Sequence, residues 1–249
     1  MKRVLIYRDT KRQYKGINIS AWRGLHEEVF ARLRERLEPG SRIADLGAGE
    51  GAMTQRLLDE GYRPIAFDIN PEGFVPPKEY LVRCDLSDPA DTERIAKEFA
   101  GSFDGVIAIE IIEHLTDPWR MVGLAKAILK PGGWLFVTAP NVSNRYSRML
   151  FLLKGKFMLF PFDASAIPGT LGPRTGHINP ITEPELEYIF KHCGFKSVET
   201  LPAGHWPLFY ARGVRGTIIW FSVMMITSLL PMGPLKNGLS YLKIGRKEA

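Results

Sequence analysis

Short apolar runs alternate with amphipathic segments along this chain, a pattern typical of a sheet flanked by helices. The runs predict strands one to five at 43–46, 64–67, 80–84, 103–109 and 134–138, and strands six and seven at 194–201 and 238–246. Strand four is almost entirely apolar, as expected of a strand that is buried on both faces of a parallel sheet. The pattern therefore predicts an α/β fold built on a mostly parallel sheet.

The segment Ser20–Leu37 has the apolar spacing of an amphipathic helix, and its first residue is of a type favoured as an N-cap. Glu38–Gly40 ends this helix before strand one. In folds of this kind such a helix lies over the ligand-binding end of the sheet. Tyr14, Trp22 and His26 are then placed either to line the mouth of a site or simply to pack.

The most informative stretch follows strand one. Asp45 and Leu46 lead into three glycines at alternate positions, Gly47, Gly49 and Gly51, and a helical pattern begins after them. Glycine at such a turn lets the backbone approach a ligand closely, because a Cβ would collide with it. The loop also opens the N-terminal end of a helix, where unpaired N–H groups favour polar or anionic groups. The stretch predicts a cofactor-binding loop.

The spacing of these glycines separates two classes of cofactor. Dinucleotide-binding loops read G-x-G-x-x-G, whereas this loop reads G-x-G-x-G with Asp45 two residues before its first glycine. A carboxylate at that position would repel a pyrophosphate. It suits a cofactor that carries a positive charge, such as the amino or sulfonium group of S-adenosylmethionine. A nicotinamide dehydrogenase is therefore disfavoured.

Two further acids end predicted strands. Asp68 ends strand two, where a carboxylate can accept hydrogen bonds from both hydroxyls of a ribose, and Ile69 beside it can pack on an adenine. Asp85 ends strand three and is followed by Leu86. Because residues 86–89 also have the pattern of a helix start, Asp85 is alternatively a helix N-cap.

Strand four runs into Glu110, Glu113 and His114, at the end of the sheet where open α/β folds bind ligands. Imidazole titrates near neutral pH, so His114 is the best candidate for a base that removes a hydroxyl proton, with a glutamate orienting it. The alternative is that Glu113 and His114 brace the next helix while Glu110 contacts the cofactor. The three side chains are also of metal-ligand type, but nothing in the pattern requires a metal and we predict none.

Taken in order, the segments from Ser20 to Asn141 resemble the class I S-adenosylmethionine-dependent methyltransferases. The resemblance is carried by D-L-G-A-G-E-G, the acids after strands two and three, E-I-I-E-H-L, and L-K-P-G-G-W-L-F-V-T-A-P-N. The E-I-I-E-H-L segment looks most like the branch that contains ubiquinone-pathway O-methyltransferases and bacterial cell-envelope or glycan methyltransferases. Ala48 stands where that branch often has cysteine, which is a packing difference only.

This resemblance implies a Rossmann-like, seven-stranded, mostly parallel sheet with strand order 3-2-1-4-5-7-6, helices on both faces and S-adenosyl-L-methionine as cofactor. It implies that Asp85 holds the adenine amino group while the backbone N–H that follows, on Leu86, reaches a ring nitrogen. It also implies that Glu110 contacts the methionine amino group. Family members commonly place a histidine facing the acceptor near His177, which makes His177 a second catalytic candidate.

We predict one methyltransferase domain over 1–249, with a cofactor-binding core at 20–141 and two insertions. The first insertion, 142–180, follows strand five on the acceptor side and contains the apolar run Met149–Phe162. The second, 205–237, precedes the last strand, and its part Gly216–Leu235 carries no charge. Three interpretations stay open for that part: a buried or dimer-forming helix, an interfacial membrane helix, and a membrane-spanning helix.

Composition narrows the partners and the compartment. The 249 residues carry a net charge of +6 with a pI near 9.3, which fits an anionic partner such as a membrane surface. No aromatic and basic RNA-binding platform is visible, so a nucleic acid is disfavoured. Cys84 and Cys193 lie far apart and Val4–Tyr7 is too short for a signal peptide, which predicts a cytoplasmic protein. Contact with the inner membrane face through 205–237 and an oligomer are both compatible with this sequence.

The function predicted from these features is S-adenosylmethionine-dependent methyl transfer. The apolar insertions favour O-methylation of an amphipathic or lipid-linked small molecule, such as a glycan or a quinone. Two alternatives are an N- or C-methyltransferase acting on a soluble metabolite, and a non-catalytic nucleoside-binding module of an envelope assembly.

Overall fold

A computed structural model describes residues 13–160, 176–204, 218, 222, 225–227, 233, 235 and 237–248. Its strands are β1 (Gln13–Tyr14), β2 (Ile17–Asn18), β3 (Arg42–Leu46), β4 (Arg63–Asp68), β5 (Leu81–Arg83), β6 (Phe103–Ile109), β7 (Leu129–Pro140), β8 (Phe195–Ala203) and β9 (Ser240–Lys247). Its α-helices are α1 (Leu25–Arg34), α2 (Ala52–Asp59), α3 (Pro89–Glu98), α4 (Pro118–Ile128), α5 (Arg145–Lys154) and α6 (Glu183–His192). Short 3₁₀ turns occupy Lys78–Tyr80 and Ile112–His114.

Seven of these strands form one sheet in the order β5-β4-β3-β6-β7-β9-β8. The strands from β5 to β7 are parallel, and β9 lies antiparallel between β7 and β8. With β3 as the first strand of the sheet, this is the predicted order 3-2-1-4-5-7-6. The predicted fold class is therefore confirmed.

The pleat of the central strands assigns one core to each face of the sheet. Ala44 and Val106 face a core completed by α3, α4 and α6, whereas Ile43 and Ile107 face a core completed by α1 and α2. Side chains alternate between faces along a strand, so neighbouring residues of one apolar run enter different cores. This double burial explains why β6 is apolar at almost every position.

The chain order places the ends of β3, β4 and β6 side by side. Leu46, at the end of β3, pairs with Phe67 on one side and with Ala108 on the other. After β3 the chain continues outward to β4 and β5 and then returns to β6, so the connections diverge between β3 and β6. Ligands of open α/β sheets bind in the crevice that such a reversal leaves at the carboxyl ends of the strands.

The first helix is shorter than predicted. It begins at Leu25 after Gly24, which adopts φ 80° and provides no side-chain cap, so the prediction of an N-cap at residue 20 is wrong. The backbone N–H of Leu25 donates to the carbonyl of Trp22 at 3.1 Å, which makes a turn before the helix. Residues 19–22 therefore lie outside the helix, between β2 and α1.

The two predicted insertions are described only in part. The first contains α5, whose side chains Leu152 and Leu153 are 78% and 72% exposed, and residues 161–175 lie outside the described part of the chain. Most of 205–237 also lies outside it, although Met225 is exposed and Leu235 is buried. Among the described residues, no helix has both the length and the apolar character needed to cross a membrane.

Candidate functional site

The three glycines of the loop after β3 serve different purposes. A Cβ on Gly47 would lie 2.6 Å from Ile111, and one on Gly51 would lie 2.6 Å from Phe74, so both positions require glycine for packing. Gly49 has φ 57°, and a Cβ there would have no atom within 4 Å. The apex of the loop therefore faces open space, as expected where a backbone receives a ligand.

Asp45 lies behind this loop. Its side chain is buried and accepts a hydrogen bond of 2.7 Å from the hydroxyl of Thr54 on α2. Burial raises the pKa of Asp45 to about 7, and the charge of Asp68 adds to this rise. Asp45 is not among the described residues that line the two cavities below. Its contact with a positively charged cofactor therefore stays a prediction.

Asp68, the last residue of β4, holds the glycine loop by a hydrogen bond. One carboxylate oxygen accepts the N–H of Gly49 and the other accepts the N–H of Asn70, both at 2.8 Å. Each carboxylate oxygen has two lone pairs, so these bonds leave acceptor capacity for a ligand hydroxyl. Asp68 thus orders the loop and also presents an acceptor beside it.

A first cavity of about 70 Å³ opens between the ends of β3, β4 and β5. Its lining includes Gly47, Asp68, Ile69, Asp85, Leu86 and His114. Asp85 accepts the N–H of Ser87 at 3.0 Å, whereas α3 is capped by Asp88, which accepts the N–H of Ala90. The alternative in which Asp85 is the helix N-cap is therefore wrong. Acceptor and apolar groups meet here in the combination that an adenosine requires.

A second cavity of about 260 Å³ lies on the other side of the glycine loop. Residues 18–22 and 47–50 line it, together with His26, Glu110, Glu113, His114 and His177. Gly47 and His114 line both cavities, so the two cavities lie next to each other beside the glycine loop. Trp22 and His26 line this cavity, which is one of the two placements that the sequence left open. Tyr14 is not among the lining residues, and its hydroxyl donates to Asp59 at 2.8 Å.

Glu110 is held in a strained position at the end of β6. Its φ is 52°, a left-handed conformation that residues other than glycine rarely adopt. The hydroxyls of Thr138 and Ser240 donate to its two carboxylate oxygens, each at 3.0 Å. Burial raises the pKa of Glu110 to about 7 although these hydrogen bonds lower it. Strain of this kind is concentrated at functional sites.

Glu113 is fully buried, and neither of its carboxylate oxygens has a hydrogen-bond partner among the described residues. Burial raises its pKa well above the ordinary value, and the charge of nearby Glu110 raises it further. A buried carboxyl without partners is costly, and native proteins keep such groups mainly at functional positions. Glu113 is therefore the most unusual polar group of the site.

Two imidazoles face this carboxyl. The Nε2 atoms of His114 and His177 each lie 3.9 Å from Oε1 of Glu113, which is too long for a hydrogen bond. Their ring centroids are 4.8 Å apart. Burial lowers the pKa of both histidines, that of His177 to about 4. Burial thus shifts the pKa of each of the three groups in the direction that favours its neutral form.

The tautomer of His114 follows from its second contact. Its Nδ1 lies 3.1 Å from the carbonyl oxygen of Gly176, so Nδ1 carries the proton and Nε2 keeps a lone pair. The carbonyl of Glu113 accepts the N–H groups of Ile178 and Asn179, which ties the 176–179 segment to this end of β6. Tertiary structure thus brings His177 to the E-I-I-E-H-L segment.

The cluster also has the composition of a metal site. One ligand atom from each of Glu113, His114 and His177 can be chosen so that all three lie within 4.8 Å of one another. Two imidazoles and a carboxylate suit a divalent transition metal. Glu110 is not part of this group, and the prediction of no metal stays a prediction.

Sequence reasoning missed the contacts that hold these groups in place. Thr138 lies within the segment L-K-P-G-G-W-L-F-V-T-A-P-N but was given no role, and neither Ser240 nor Asn18, which donates to Glu50 of the glycine loop, gave a motif signal. All three are small polar residues at strand ends. Only their pairing with a charged residue from a distant segment reveals their role.

Comparison with known proteins agrees with this architecture. A sequence model of a family described as a methyltransferase domain matches residues 18–200. The ubiquinone biosynthesis O-methyltransferase of Xanthomonas axonopodis pv. citri (strain 306) is 36% identical over 111 residues, 43% of this chain and 46% of that protein. The enzyme of the same name from Burkholderia pseudomallei (strain 1710b) is 26% identical over 175 residues, 68% of this chain and 71% of that protein. The chain spans less than half the length of the Xanthomonas relative.

Solved structures share the fold. A SAM-dependent methyltransferase from Archaeoglobus fulgidus superposes with a TM-score of 0.57 at 21% identity, covering 91% of this chain and 96% of that one. The 1,6-didemethyltoxoflavin-N1-methyltransferase of Burkholderia thailandensis, solved with S-adenosylhomocysteine, gives 0.51 at 18% identity over 92% and 79% of the two chains. Because the family match covers well over half of the sequence and the sheet order agrees, this chain belongs to the methyltransferase-domain family.

Proposed function

We propose that this protein is an S-adenosylmethionine-dependent methyltransferase. The observation that carries the proposal is the pair of adjacent cavities beside the glycine loop, each of which is lined by acids. The first cavity offers Asp68 and Asp85 beside apolar Ile69, which suits a ribose and an adenine. The second offers Glu110, which suits the methionine amino group.

The residues of the crevice fit this cofactor on two structural grounds. The direction of a Cβ on Gly49 is open, so the loop backbone can lie against a ligand. Asp68 retains acceptor capacity after binding the loop amides. When bound, the cofactor supplies an electrophilic methyl group, and the protein's task is to orient it toward an acceptor.

We assign the role of general base to His114, with His177 and Glu113 as its neighbours. His114 lines the second cavity, and its lowered pKa keeps the imidazole neutral at physiological pH. His114 would accept the proton of an acceptor hydroxyl, while the bound cofactor would supply the methyl group and leave as S-adenosylhomocysteine after its sulfur–methyl bond breaks. The Gly176 carbonyl holds the ring so that the lone pair stays on Nε2.

The short distances among Glu113, His114 and His177 favour a second role for this cluster, which is to bind a metal ion. A divalent cation held by Glu113, His114 and His177 would polarise the acceptor oxygen and lower its pKa as a Lewis acid. A metal would also neutralise the buried carboxyl that has no partner. His114 would then be a ligand rather than the base.

We propose that the acceptor is an amphipathic or lipid-linked small molecule, reached from the inner face of a membrane. The support is the exposed apolar face of α5 together with the names of the Xanthomonas and Burkholderia relatives, which act in ubiquinone biosynthesis. An N- or C-methyltransferase on a soluble metabolite is the competing assignment, and turnover of hydroxyl acceptors against amine acceptors distinguishes the two.

Calorimetric titration with S-adenosylmethionine, S-adenosylhomocysteine and NAD tests the cofactor assignment. We expect micromolar binding of both adenosyl ligands and none of NAD. Asp68→Ala should lose at least about tenfold in affinity, because it removes the ribose acceptor and loosens the loop. Asp68→Asn retains one acceptor oxygen, so its affinity should lie between those of the wild type and Asp68→Ala.

Glu79→Ala provides the matched control, because Glu79 is an exposed acid outside both cavities. Absence of adenosyl binding by folded wild-type protein would refute the proposed function. It would favour instead a module that binds a different nucleoside or none.

A further inference from the structure

The glycine loop contains one charged side chain, Glu50, for which the cofactor assignment provides no role. Glu50 lies between Gly49 and Gly51 and lines the second cavity. A Cβ on Gly49 would have no atom within 4 Å, so hydrogen bonds hold the loop apex: the Glu50 carbonyl accepts the N–H of Val75 at 3.0 Å, and side chains supply further bonds. Asp68 supplies one of them from the ligand side by accepting the N–H of Gly49.

Asn18, the last residue of the N-terminal hairpin (Gln13–Asn18), supplies the others. Its backbone N–H donates to Oε2 of Glu50 at 3.2 Å. Its side-chain amide lies 3.1 Å from Oε1 and 3.0 Å from Oε2 of the same carboxylate. Gln13 donates to the Asn18 amide oxygen at 2.9 Å, which orients the amide nitrogen toward Glu50. Bonds to an ionised acceptor are stronger than neutral ones.

The same hairpin is attached to the far end of α2. The Tyr14 hydroxyl and the Lys15 ammonium lie 2.8 and 2.9 Å from Oδ2 of Asp59, and the Arg56 guanidinium lies 4.5 Å above the Tyr14 ring. Ile17 is buried beneath the hairpin. The hairpin therefore contacts α2 near its C-terminal end and also the loop that precedes this helix.

Residues 18–22 continue directly from the hairpin and form one wall of the second cavity, opposite loop residues 47–50. Asn18 belongs to both structures, since it ends β2 and begins that wall. A displacement of the hairpin would therefore move the cavity wall and release the Glu50 side of the loop together.

We propose that Asn18 is a positioning residue for the cofactor: through Glu50 it holds the glycine loop against the N-terminal hairpin, so that loop and cavity wall close the methionine side of the crevice as one unit. This inference rests on the proposed function for the identity of the ligand. It goes beyond the glycine motif because it assigns cofactor retention to a residue outside that motif. The alternative is that Asn18 and Glu50 form an exposed polar pair that contributes little to cofactor binding.

A double-mutant cycle on Asn18→Ala and Glu50→Ala separates these cases. The affinity for S-adenosylhomocysteine is measured by calorimetry and its dissociation rate by stopped flow. Each single variant should bind about tenfold more weakly, mainly through faster dissociation, because the loop loses one of its side-chain restraints. The double variant should be no weaker than the weaker single one, since both remove the same interaction.

Arg32→Ala and Glu35→Ala form the control cycle. This surface pair on α1 has a similar geometry, with an N–O distance of 3.0 Å, and lies outside both cavities. Its variants should retain affinity within about twofold, as expected of an exposed ion pair. Wild-type affinity in Asn18→Ala, or additive losses in the Asn18–Glu50 cycle, would overturn the inference while leaving the cofactor assignment intact.

Amide hydrogen exchange of the ligand-free protein tests the structural part without a cofactor. Asn18→Ala should accelerate exchange at residues 47–53 by about tenfold relative to the Arg32→Ala control, because local opening becomes easier. Unchanged exchange would overturn the inference. If the wild-type protein binds no adenosyl ligand, the proposed function fails and the cofactor role of Asn18 fails with it. That outcome holds even if hydrogen exchange shows that Asn18 restrains the loop.

Discussion

At the scale of single residues, Glu113 is the group whose environment demands a chemical explanation. It is buried without a partner, beside two imidazoles whose Nε2 atoms are 3.9 Å away. If His114 is the base, a proton on Glu113 accounts for a buried carboxyl without a partner. If the cluster binds a metal, the cation accounts for it. The two cases differ in whether turnover needs a metal ion and in whether Glu113→Gln loses metal binding.

Glu113→Gln keeps the shape of the side chain and removes its ability to become a carboxylate. We expect kcat for methyl transfer to fall by about 100-fold, within the range for a disturbed acid–base group, with affinity for S-adenosylhomocysteine unchanged. If a cation is required, dialysis against a chelator should abolish turnover, Zn²⁺ or Mn²⁺ should restore it, and the variant should lose metal binding in calorimetry.

If His114 is instead the base, the chelator should have no effect on turnover. The kcat should then rise with pH through a value below 6.5, because burial lowers the pKa of His114 from that ordinary value. His192→Ala, at an exposed histidine of α6, is the control and should keep wild-type activity. Full activity of Glu113→Gln would contradict both roles.

Asp45 makes a second prediction about pH, this time for stability. Burial raises its pKa to about 7, so the folded protein keeps the proton that the unfolded chain releases near pH 4. The contribution of Asp45 to the free energy of unfolding is therefore complete below pH 4 and is lost as pH rises to 7. The loss amounts to at most about 1.4 kcal/mol per pH unit.

Asp45→Asn removes this titration and retains an acceptor for the Thr54 hydroxyl. Relative to wild type, the variant should gain stability between pH 4 and pH 7 in urea unfolding measured at several pH values. Glu79→Gln, at an exposed acid, should show no such trend. A constant difference between Asp45→Asn and wild type across this window would show that the Asp45 pKa is ordinary.

At the scale of elements, α5 is built to present apolar residues outward. Asn144 caps its start by accepting the N–H of Ser147, and Gly155 ends it in a left-handed conformation. The polar Ser147 is the buried residue of this helix, whereas Phe151, Leu152 and Leu153 are 48%, 78% and 72% exposed. An amphipathic surface helix would have the reverse arrangement. Apolar exposure of this kind marks an interaction surface.

We expect α5 to contact anionic lipid, because the exposed lysines Lys154 and Lys156 follow its apolar residues. In vesicle sedimentation, the double variant Leu152→Glu/Leu153→Glu should lose about tenfold in binding to vesicles rich in phosphatidylglycerol. Wild-type protein should bind phosphatidylcholine vesicles weakly. Val198→Glu, at a half-exposed apolar residue of β8, is the matched control. Equal binding of the two variants would exclude α5 as the lipid contact.

At the scale of the whole molecule, the last strand connects the chain terminus to the site. Antiparallel β9 lies between β7 and β8, and its first residue, Ser240, donates to Glu110 across 130 positions of sequence. Further along β9, the fully buried ammonium of Lys243 lies 2.8 Å from Glu183 and 2.6 Å from Glu187 on α6. The strand therefore joins α6, the sheet and the site.

This ion cluster should make acid stability depend on Glu187. Partial burial raises the pKa of Glu187, but hydrogen bonds from Lys243, Ser197 and Lys191 outweigh it and lower the pKa to about 2. Its stabilisation is therefore present above the unfolded value near 4.5 and is lost as pH falls toward 2. Glu187→Gln should cost about 2–3 kcal/mol at pH 7 and almost nothing near pH 2.

Urea unfolding across this pH range measures the Glu187 effect. Glu98→Gln, which breaks an exposed pair with Arg94 at 3.5 Å, should cost less than about 0.5 kcal/mol at any pH. If Glu187→Gln has the same small effect at pH 7 and pH 3, the Lys243 cluster does not stabilise the fold.

The local pattern of the sequence determined the seven strands of the main sheet, the glycine loop and the acids at the strand ends, because periodicity and loop chemistry are properties of neighbouring residues. It also placed Glu110, Glu113 and His114 among the candidates, whereas His177 became one only through the family resemblance. The hairpin strands β1 and β2 were not predicted. The first helix was predicted to start at residue 20 because a favourable cap residue stands there, and the structure places the start at Leu25.

The tertiary structure alone decided how those candidates are used. Ser240 reaches Glu110, Asn18 reaches Glu50, and His177 reaches Glu113, in each case from a segment at least 30 residues away in sequence. The protonation of Glu113 depends on burial, and so does the access of a ligand to Asp45. No single stretch of sequence encodes burial. Such properties arise only when distant segments meet at the same edge of the sheet and exclude water together.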